Sequence, residues 1–441
     1  MFQNKILLLL LLVFTGRSLS GQEIVIAEGD VLQRTLEANT DLKISEADFL
    51  QARAEYRQTR AVFLPSITAS HTGFTTTNPL MVFGSKLNQQ IVQASDFDPD
   101  LLNDPERIDN FATRLEVYQP VIQISGLHQR RAARLKMEAT ALERERNRDY
   151  LALEAHKAYM QLQLAYRGVE VVEKALEAAL ANERTARDSY EQGLLQKADL
   201  LAASVRVGEI RNQLQNARTQ VANASDYLGF LMNTQTTEVY RPADPLKKSE
   251  IAPSPPQTIP EAREDLQAAR LATEARMQAF KAEKWAFLPT LNAFGTYELY
   301  DDAPFQFGAS GYTLGAQLSW NILEGAGRMA RAEQSRAAYE KSQLEWEQYR
   351  HRSELELARA RRSFEDARLE LEVTESGLAQ REEALRILTN RYREGLEKTA
   401  DLLVAETRYA EKELEYFQTL FEYNYALAYL EFLSKGNSIQ N

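Results

Sequence analysis

Few residues of this 441-residue chain are placed to do chemistry. Its four histidines, His71, His128, His156 and His351, share no spacing that would close a metal site. The chain has no cysteine, which removes disulfides, thiolate metal centres, cysteine nucleophiles and an acylated N-terminal cysteine. Gly325-Ala326-Gly327 stands between an expected strand and an expected helix but lacks the third glycine of a dinucleotide fingerprint. No nucleophile–base pair and no carboxylate dyad stands out. The expectation is therefore no catalytic site, no cofactor and no bound metal. Two acidic residues are singled out by their surroundings instead: Asp199 and Asp401.

Each aspartate lies in a stretch that occurs twice. Tyr190, Gly193, Leu194, Ala198, Asp199, Leu200 and Leu201 correspond at one constant offset to Tyr392, Gly395, Leu396, Ala400, Asp401, Leu402 and Leu403. Each copy sits between two long segments of helical periodicity, so each reads as the tip of a helical hairpin. The glycine supplies the left-handed conformation in which a helix ends. The aspartate falls in the first turn of the next helix, where a negative charge favours the positive helix end by roughly 0.3–1 kcal/mol. Turn-making and capping account for these residues.

The elements that carry the tips repeat as well. Residues 127–190 read as one helix, with Leu151, Ala155, Ala158, Leu162, Ala165, Val169, Val172, Leu176 and Ala179 at alternating steps of four and three. That rhythm is a heptad seam. The return helix carries Leu200, Ala203, Val207, Ile210, Leu214, Ala217, Val221, Ala224, Leu228 and Leu231 in the same rhythm. In the second half, residues 327–392 carry Leu357, Ala360, Phe364, Ala367, Leu371, Thr374, Leu378, Arg381, Leu385 and Leu388, the first seven at the matching positions. Repeated tips and repeated seams in one register identify an internal duplication. Ahead of each long helix, a helical segment (30–63 and 260–287) ends in Phe-Leu-Pro, at Pro65 and at Pro289, because the residue before proline is pushed out of helical geometry. Two expected strands follow each proline: 66–77 and 109–124, then 290–300 and 311–323. Residues 78–107 read as a long connection. Six prolines within 241–260 make that stretch an extended linker. The domain plan is thus a signal peptide at 1–20, a first repeat at 21–240, the linker at 241–260 and a second repeat at 261–441.

The signal assignment rests on Lys5, an apolar run at 6–14 and Ser18-Leu19-Ser20 before Gly21. No later segment approaches the roughly 18 uninterrupted apolar residues of a spanning helix, so any later membrane contact must be made by strands. A net charge of −11 with Arg and Glu interleaved argues against nucleic acid as a partner. The strand at 311–320 places Tyr312, Leu314, Ala316, Leu318 and Trp320 on one face and Thr313, Gly315, Gln317 and Ser319 on the other. A membrane barrel strand needs such a pattern, and so does an ordinary sheet with one buried face. Alternation alone supports both readings. Four strands cannot close a pore-sized barrel, so a barrel requires several chains.

The order of elements resembles the TolC family of outer membrane efflux proteins, or outer membrane factors, over nearly all of the mature chain. The Phe-Leu-Pro pair, the two Gly-Leu tips with Asp199 and Asp401 six residues on, and the 78–88 loop carry the resemblance. It implies a mainly α protein with membrane strands, whose homotrimer forms one twelve-stranded β-barrel, four strands per chain, continued by an α-helical coiled-coil tunnel. It further implies an outer membrane location with the tunnel in the periplasm of a Gram-negative envelope. The expected role is exit duct of a tripartite efflux pump or type I secretion system. The implied partners are outer membrane lipid, a periplasmic adaptor and an inner-membrane transporter of the RND, ABC or MFS class. By position, Asp401, Asp199, Tyr392 and Glu397 match the periplasmic gate, and Gly193, Leu194, Gly395 and Leu396 match adaptor-docking tips. The sequence departs from the pattern at Val404, where a second acidic residue is frequent, and at Glu397, which replaces a basic latch partner. Gln192 and Glu394 replace the apolar residue before each glycine. The rival reading is a secreted or periplasmic coiled-coil structural or adhesion protein without a pore. The cargo is not encoded in any motif.

Overall fold

The computed structural model describes residues 23–234, 238–250 and 258–436. The expected signal peptide and residues 251–257 of the expected linker lie outside the described residues. The chain divides into two compact units, each gathered from separate segments. The described part of one comprises 23–43, 148–234, 238–250 and 357–434, and that of the other comprises 44–147, 258–356 and 435–436.

In the first unit, strand β1 (Glu23–Ile26) pairs in parallel with β4 (Val239–Pro242), and helix α1 (Glu28–Ala38) follows β1. The first two residues read as linker therefore end a strand. Helix α5 (Ile124–Glu191) returns through Gly193 into α6 (Lys197–Leu231). Their seams meet as the heptad spacing requires. Ala155, Ala158, Tyr159 and Leu162 pack with Leu228, Leu231 and Tyr240, and Val172 and Ala179 pack with Val207, Ile210 and Leu214. The second hairpin is α8 (Gly327–Arg393) and α9 (Thr399–Ser434). Leu357, Ala360, Phe364, Leu371 and Thr374 of α8 are buried, as are Leu402, Leu420, Leu427, Leu430 and Leu433 of α9. Arg381, at a seam position nearer the tip, is exposed.

In the second unit, helix α2 (Thr40–Gln58) precedes β2 (Ser66–Thr76), and α7 (Glu264–Trp285) precedes β5 (Thr290–Asp301). The remaining strands are β3 (Ile108–Ile122) and β6 (Ala309–Ser319). The four form one antiparallel sheet in the order β2-β3-β5-β6. Pro120 lies in the central strand β3 at an irregularity that shifts the register between Pro120 and Ile122, where a missing N–H is tolerated. Strand β6 stops at Ser319, four residues before its expected end. Residues 78–107 are more than a connection. They hold α3 (Pro79–Asn88), a 3-10 turn (Ala94–Phe97) and α4 (Pro99–Asn103). Asn78 caps α3 by accepting the Met81 N–H, with Pro79 at the first helical position.

Candidate functional site

At both tips the chain turns in the same way. Gly193 has φ +74° and Gly395 has φ +72°. The N–H of Gly193 donates to the Tyr190 carbonyl (2.9 Å) and that of Leu194 to the Ser189 carbonyl (2.9 Å). The N–H of Gly395 donates to Tyr392 (3.0 Å) and that of Leu396 to Arg391 (2.9 Å). This pair of reversed hydrogen bonds is the Schellman ending, which satisfies the last carbonyls of a helix. A Cβ on either glycine would meet no atom within 4 Å, so conformation rather than space selects glycine. Leu194 and Leu396 follow at the crests, 76% and 67% exposed. An apolar side chain held that openly by rigid backbone offers a contact to another molecule.

Asp199 and Asp401 each occupy the third position of the return helix, with their N–H groups donating to Gln196 and Lys398. Both lie in the first turn, as the capping reading requires. Among the described residues neither carboxylate has a hydrogen bond or ion pair, which leaves both free to meet something outside the chain. Tyr392 lies within the second tip, its hydroxyl 3.4 Å from Thr399 Oγ1. Glu397 accepts from Arg391 Nε at 3.1 Å. The structure thus pairs Tyr392 and Glu397 inside one tip, with partners the sequence reading did not name. Thr399 and Arg391 were missed because a short polar contact across a turn leaves no periodic signal.

Between the tip and the middle of the hairpins, α9 presents two half-buried carboxylates to α5. Asn182 Nδ2 donates to Glu406. Burial pushes the Glu406 carboxyl above its ordinary range, opposed by that hydrogen bond and by the charge of Arg206. Burial likewise raises Glu413, with Lys174 opposing it at 4.0 Å.

The sheet is the other candidate surface. Directly paired residues of an antiparallel sheet share a face, and the register separates a mostly apolar face from a mostly polar one, with His71, Thr75, Asp109 and Thr113 falling on the first and Phe74, Phe294 and Tyr300 on the second. One face carries Ile67 and Ala69, then Val117 and Leu115, then Leu291, Ala293 and Tyr297, then Leu318, Leu314 and Tyr312. The other carries Thr68, Ser70, Arg114, Glu116, Thr296, Glu298, Thr313 and Gln317. On that polar face Arg114 pairs with Glu298 at 2.5 Å. Pro65 and Pro289 stand immediately before β2 and β5, and the Phe carbonyl of each Phe-Leu-Pro accepts a cross-strand hydrogen bond. Gln119 Nε2 donates to Phe63 (3.1 Å) and Trp320 Nε1 to Phe287 (3.0 Å). The outer edges of β2 and β6 have no strand partner among the described residues.

Among those residues, no three His, Cys, Asp or Glu gather to hold a metal, and no helix is long and apolar enough to cross a membrane. His71, His128 and His156 have ordinary partners instead, in Thr113 (2.7 Å), Gln278 (2.8 Å) and Glu28 (2.5 Å).

Comparison with curated protein sequences gives no match. Solved structures do match in fold. The Campylobacter jejuni CmeC outer membrane channel superposes with a TM-score of 0.80 at 16% identity, over 94% of this chain and 87% of that one. The outer membrane protein VceC from Vibrio cholerae gives 0.77 at 18% identity, over 93% and 96%. The Neisseria gonorrhoeae MtrE outer membrane channel, in its open state, gives 0.77 at 16% identity, over 93% and 89%. The outer membrane efflux protein family model matches residues 31–234 and 256–434, which together span most of the sequence. With its duplicated strand pairs and helical hairpins covered by that match, the chain belongs to the outer membrane efflux protein family.

Proposed function

We propose that three copies of this chain form a single duct, a twelve-stranded barrel through the outer membrane continued by an α-helical tunnel in the periplasm. The observation that carries this reading is the four-stranded sheet with one apolar face, one polar face and two unpartnered edges. Lipid satisfies the first face, an aqueous lumen the second, and neighbouring copies the edges. Strands of 11–15 residues are long enough to span the hydrocarbon when tilted. Such a duct moves solutes without transforming them, so the protein acts as a channel rather than an enzyme.

The tunnel end is formed by the tips. There Gly193-Leu194 and Gly395-Leu396 dock a periplasmic adaptor, which links the duct to an inner-membrane transporter of the RND, ABC or MFS class. Asp401, unpaired and exposed, narrows the mouth, with Asp199 beside it. Val404 removes a second acidic ring, so the mouth is less negative than a doubled ring would make it. Tyr392 and Glu397 act within their own tip, through Thr399 and Arg391, to hold its shape.

Fractionation of cells that make the protein tests the reading. The expected result is sedimentation with the outer membrane and, after detergent extraction, a particle of three chain masses. A monomer that is soluble without detergent overturns it in favour of a coiled-coil scaffold.

A further inference from the structure

A plain duct has no use for α3. Val82, Ser85 and Gln89 recur at helical spacing on one side of this segment, and all three are buried. That side rests on the polar face of the sheet, at the strand ends farthest from the starts of α5 and α8. Gln89 Nε2 donates to the Asp109 carbonyl (3.0 Å), to Asn110 Oδ1 (3.0 Å) and to the Asp301 carbonyl (3.2 Å). Asn110 and Ala309, both on the polar face by register, are buried in the same unit. The following turn is clamped to the helix by Lys86 with Asp96 (2.7 Å) and by Phe83 edge-on to Phe97 (5.6 Å). The segment is therefore an ordered body seated on the polar face. Its other side carries Leu80, Leu87 and, just beyond, Ile91. All are exposed, Leu80 to 86%.

We propose that α3 caps the outer mouth of the barrel, its apolar side docking on the α3 helices of the two other copies at the three-fold axis. This rests on the trimeric barrel reading above. The dimensions name the occupant. A twelve-stranded barrel, with strands about 4.8 Å apart and tilted about 40°, has a bore of roughly 24 Å between backbones. A helix with its side chains is about 10–12 Å across. One helix lying on each third of the wall therefore reaches the axis, and the three meet there. An exposed leucine in a water-filled lumen is unfavourable, whereas three leucines brought together remove one another from water. The cap is held to the strands by the Gln89 and Gln90 amides, with Val82 and Ser85 buried beside them, and there is no strand pairing to break. The Gln89 amide oxygen is buried without a partner, so even the closed contact is incompletely satisfied. Such a contact can release when cargo arrives from below.

The absence of cysteine from the chain makes the test direct. A Gln317→Cys variant places one thiol on the polar face of β6, and Leu318→Cys places one on the apolar face. Intact cells are treated with a maleimide carried on a polyethylene glycol of about 2 kDa. Gln317→Cys should label slowly, and at least tenfold faster when residues 79–103 are replaced by a short Gly-Ser turn. Equal rates with and without the segment overturn the cap. Leu318→Cys should stay protected by lipid in both backgrounds. Free labelling there instead overturns the barrel reading itself. Should the shortened chain fail to assemble, the intact chain decides through Leu80→Cys, for which oxidation should join copies within the trimer. A trimer in which Leu80→Cys gives no joined copies overturns the proposal.

Discussion

Gly395 and Gly193 are required by conformation alone, since open space surrounds each position where a Cβ would stand. Alanine at Gly395 would therefore cost only the strain of a left-handed non-glycine residue, roughly 1–2 kcal/mol, confined to the tip. Arginine adds a long charged side chain beside the exposed Leu396. Transport should survive Gly395→Ala and be abolished by Gly395→Arg, with trimers formed in both. Export of the duct's cargo from cells, read beside trimer levels, checks this. Equal loss in the two variants would make the glycine a matter of turn shape and not of docking. Glu406 gives a second residue-scale prediction. Its carboxyl is raised by burial, so the folded state favours the protonated form. The stability from that form is complete below the ordinary glutamate range and is lost as pH rises through the raised value. Glu406→Gln keeps an acceptor for Asn182 and removes the desolvated charge. It should raise the melting temperature of the detergent-solubilised protein at pH 8 and leave it nearly unchanged at pH 4. An equal shift at both values would place its effect in packing.

Helix α7 is fixed at its start by charges rather than by apolar periodicity. Arg263, 1% exposed, donates from Nε to Asp265 (2.7 Å) and from Nη2 to Ser353 Oγ (2.8 Å). Arg146 approaches the same carboxylate at 3.4 Å, and the Tyr349 hydroxyl donates to it at 2.9 Å. Burial alone would raise Asp265, but these partners outweigh it and hold its carboxyl below the usual range. Burial, with the Asp265 charge, pushes the Tyr349 hydroxyl up to about 12. The stability Asp265 contributes is thus complete above the ordinary aspartate range and lost as pH falls through its depressed value. Asp265→Asn leaves two buried guanidinium groups short of a counter-charge and should cost about 3–5 kcal/mol. Limited proteolysis should then open the α7 start while the tips stay intact, and unchanged cleavage there would count against the network. None of this was legible in the sequence, because Arg146, Arg263, Tyr349 and Ser353 come together only through tertiary folding. The hairpins were legible, since Leu151 to Ala179 and Leu200 to Leu231 keep one rhythm that only a seam explains. The α3 segment falls between these cases. Asn78-Pro79 is a helix start in plain view, but a helix of 10 residues depends on what it packs against, and that surface lies on distant strands. At the tips, glycine and aspartate declared the turn, while Thr399 and Arg391 could be placed only by the turn itself.

At the scale of the whole molecule, the proposed duct depends on which face of the sheet meets lipid. Adjacent residues of β6 test this, because Thr313 and Leu314 differ by one position and lie on opposite faces of the sheet. Leu314 sits at the middle of the strand, 76% exposed and opposite Gly295 on the apolar face. An arginine there would have to enter hydrocarbon near the bilayer midplane, at a cost of about 2–4 kcal/mol per copy. In a trimer that cost is incurred three times in one assembly step, enough to shift the product from trimers to unassembled chains. Thr313→Arg projects the same group into the water-filled lumen, where it is solvated and lies on the same face as Glu298 and Glu116. Trimer yield in outer membrane fractions should therefore collapse for Leu314→Arg and hold for Thr313→Arg. The latter should instead slow export of cationic cargo by adding three positive charges to the bore. The reverse order of the two variants would put lipid on the polar face, which no barrel permits, and would return the sheet to the interior of a soluble fold. Equal tolerance would mean that neither face meets lipid. Divergence in this direction requires the apolar face to be the one shielded from water, and its appearance as trimers in the outer membrane separates a face covered by lipid from one buried inside a soluble fold.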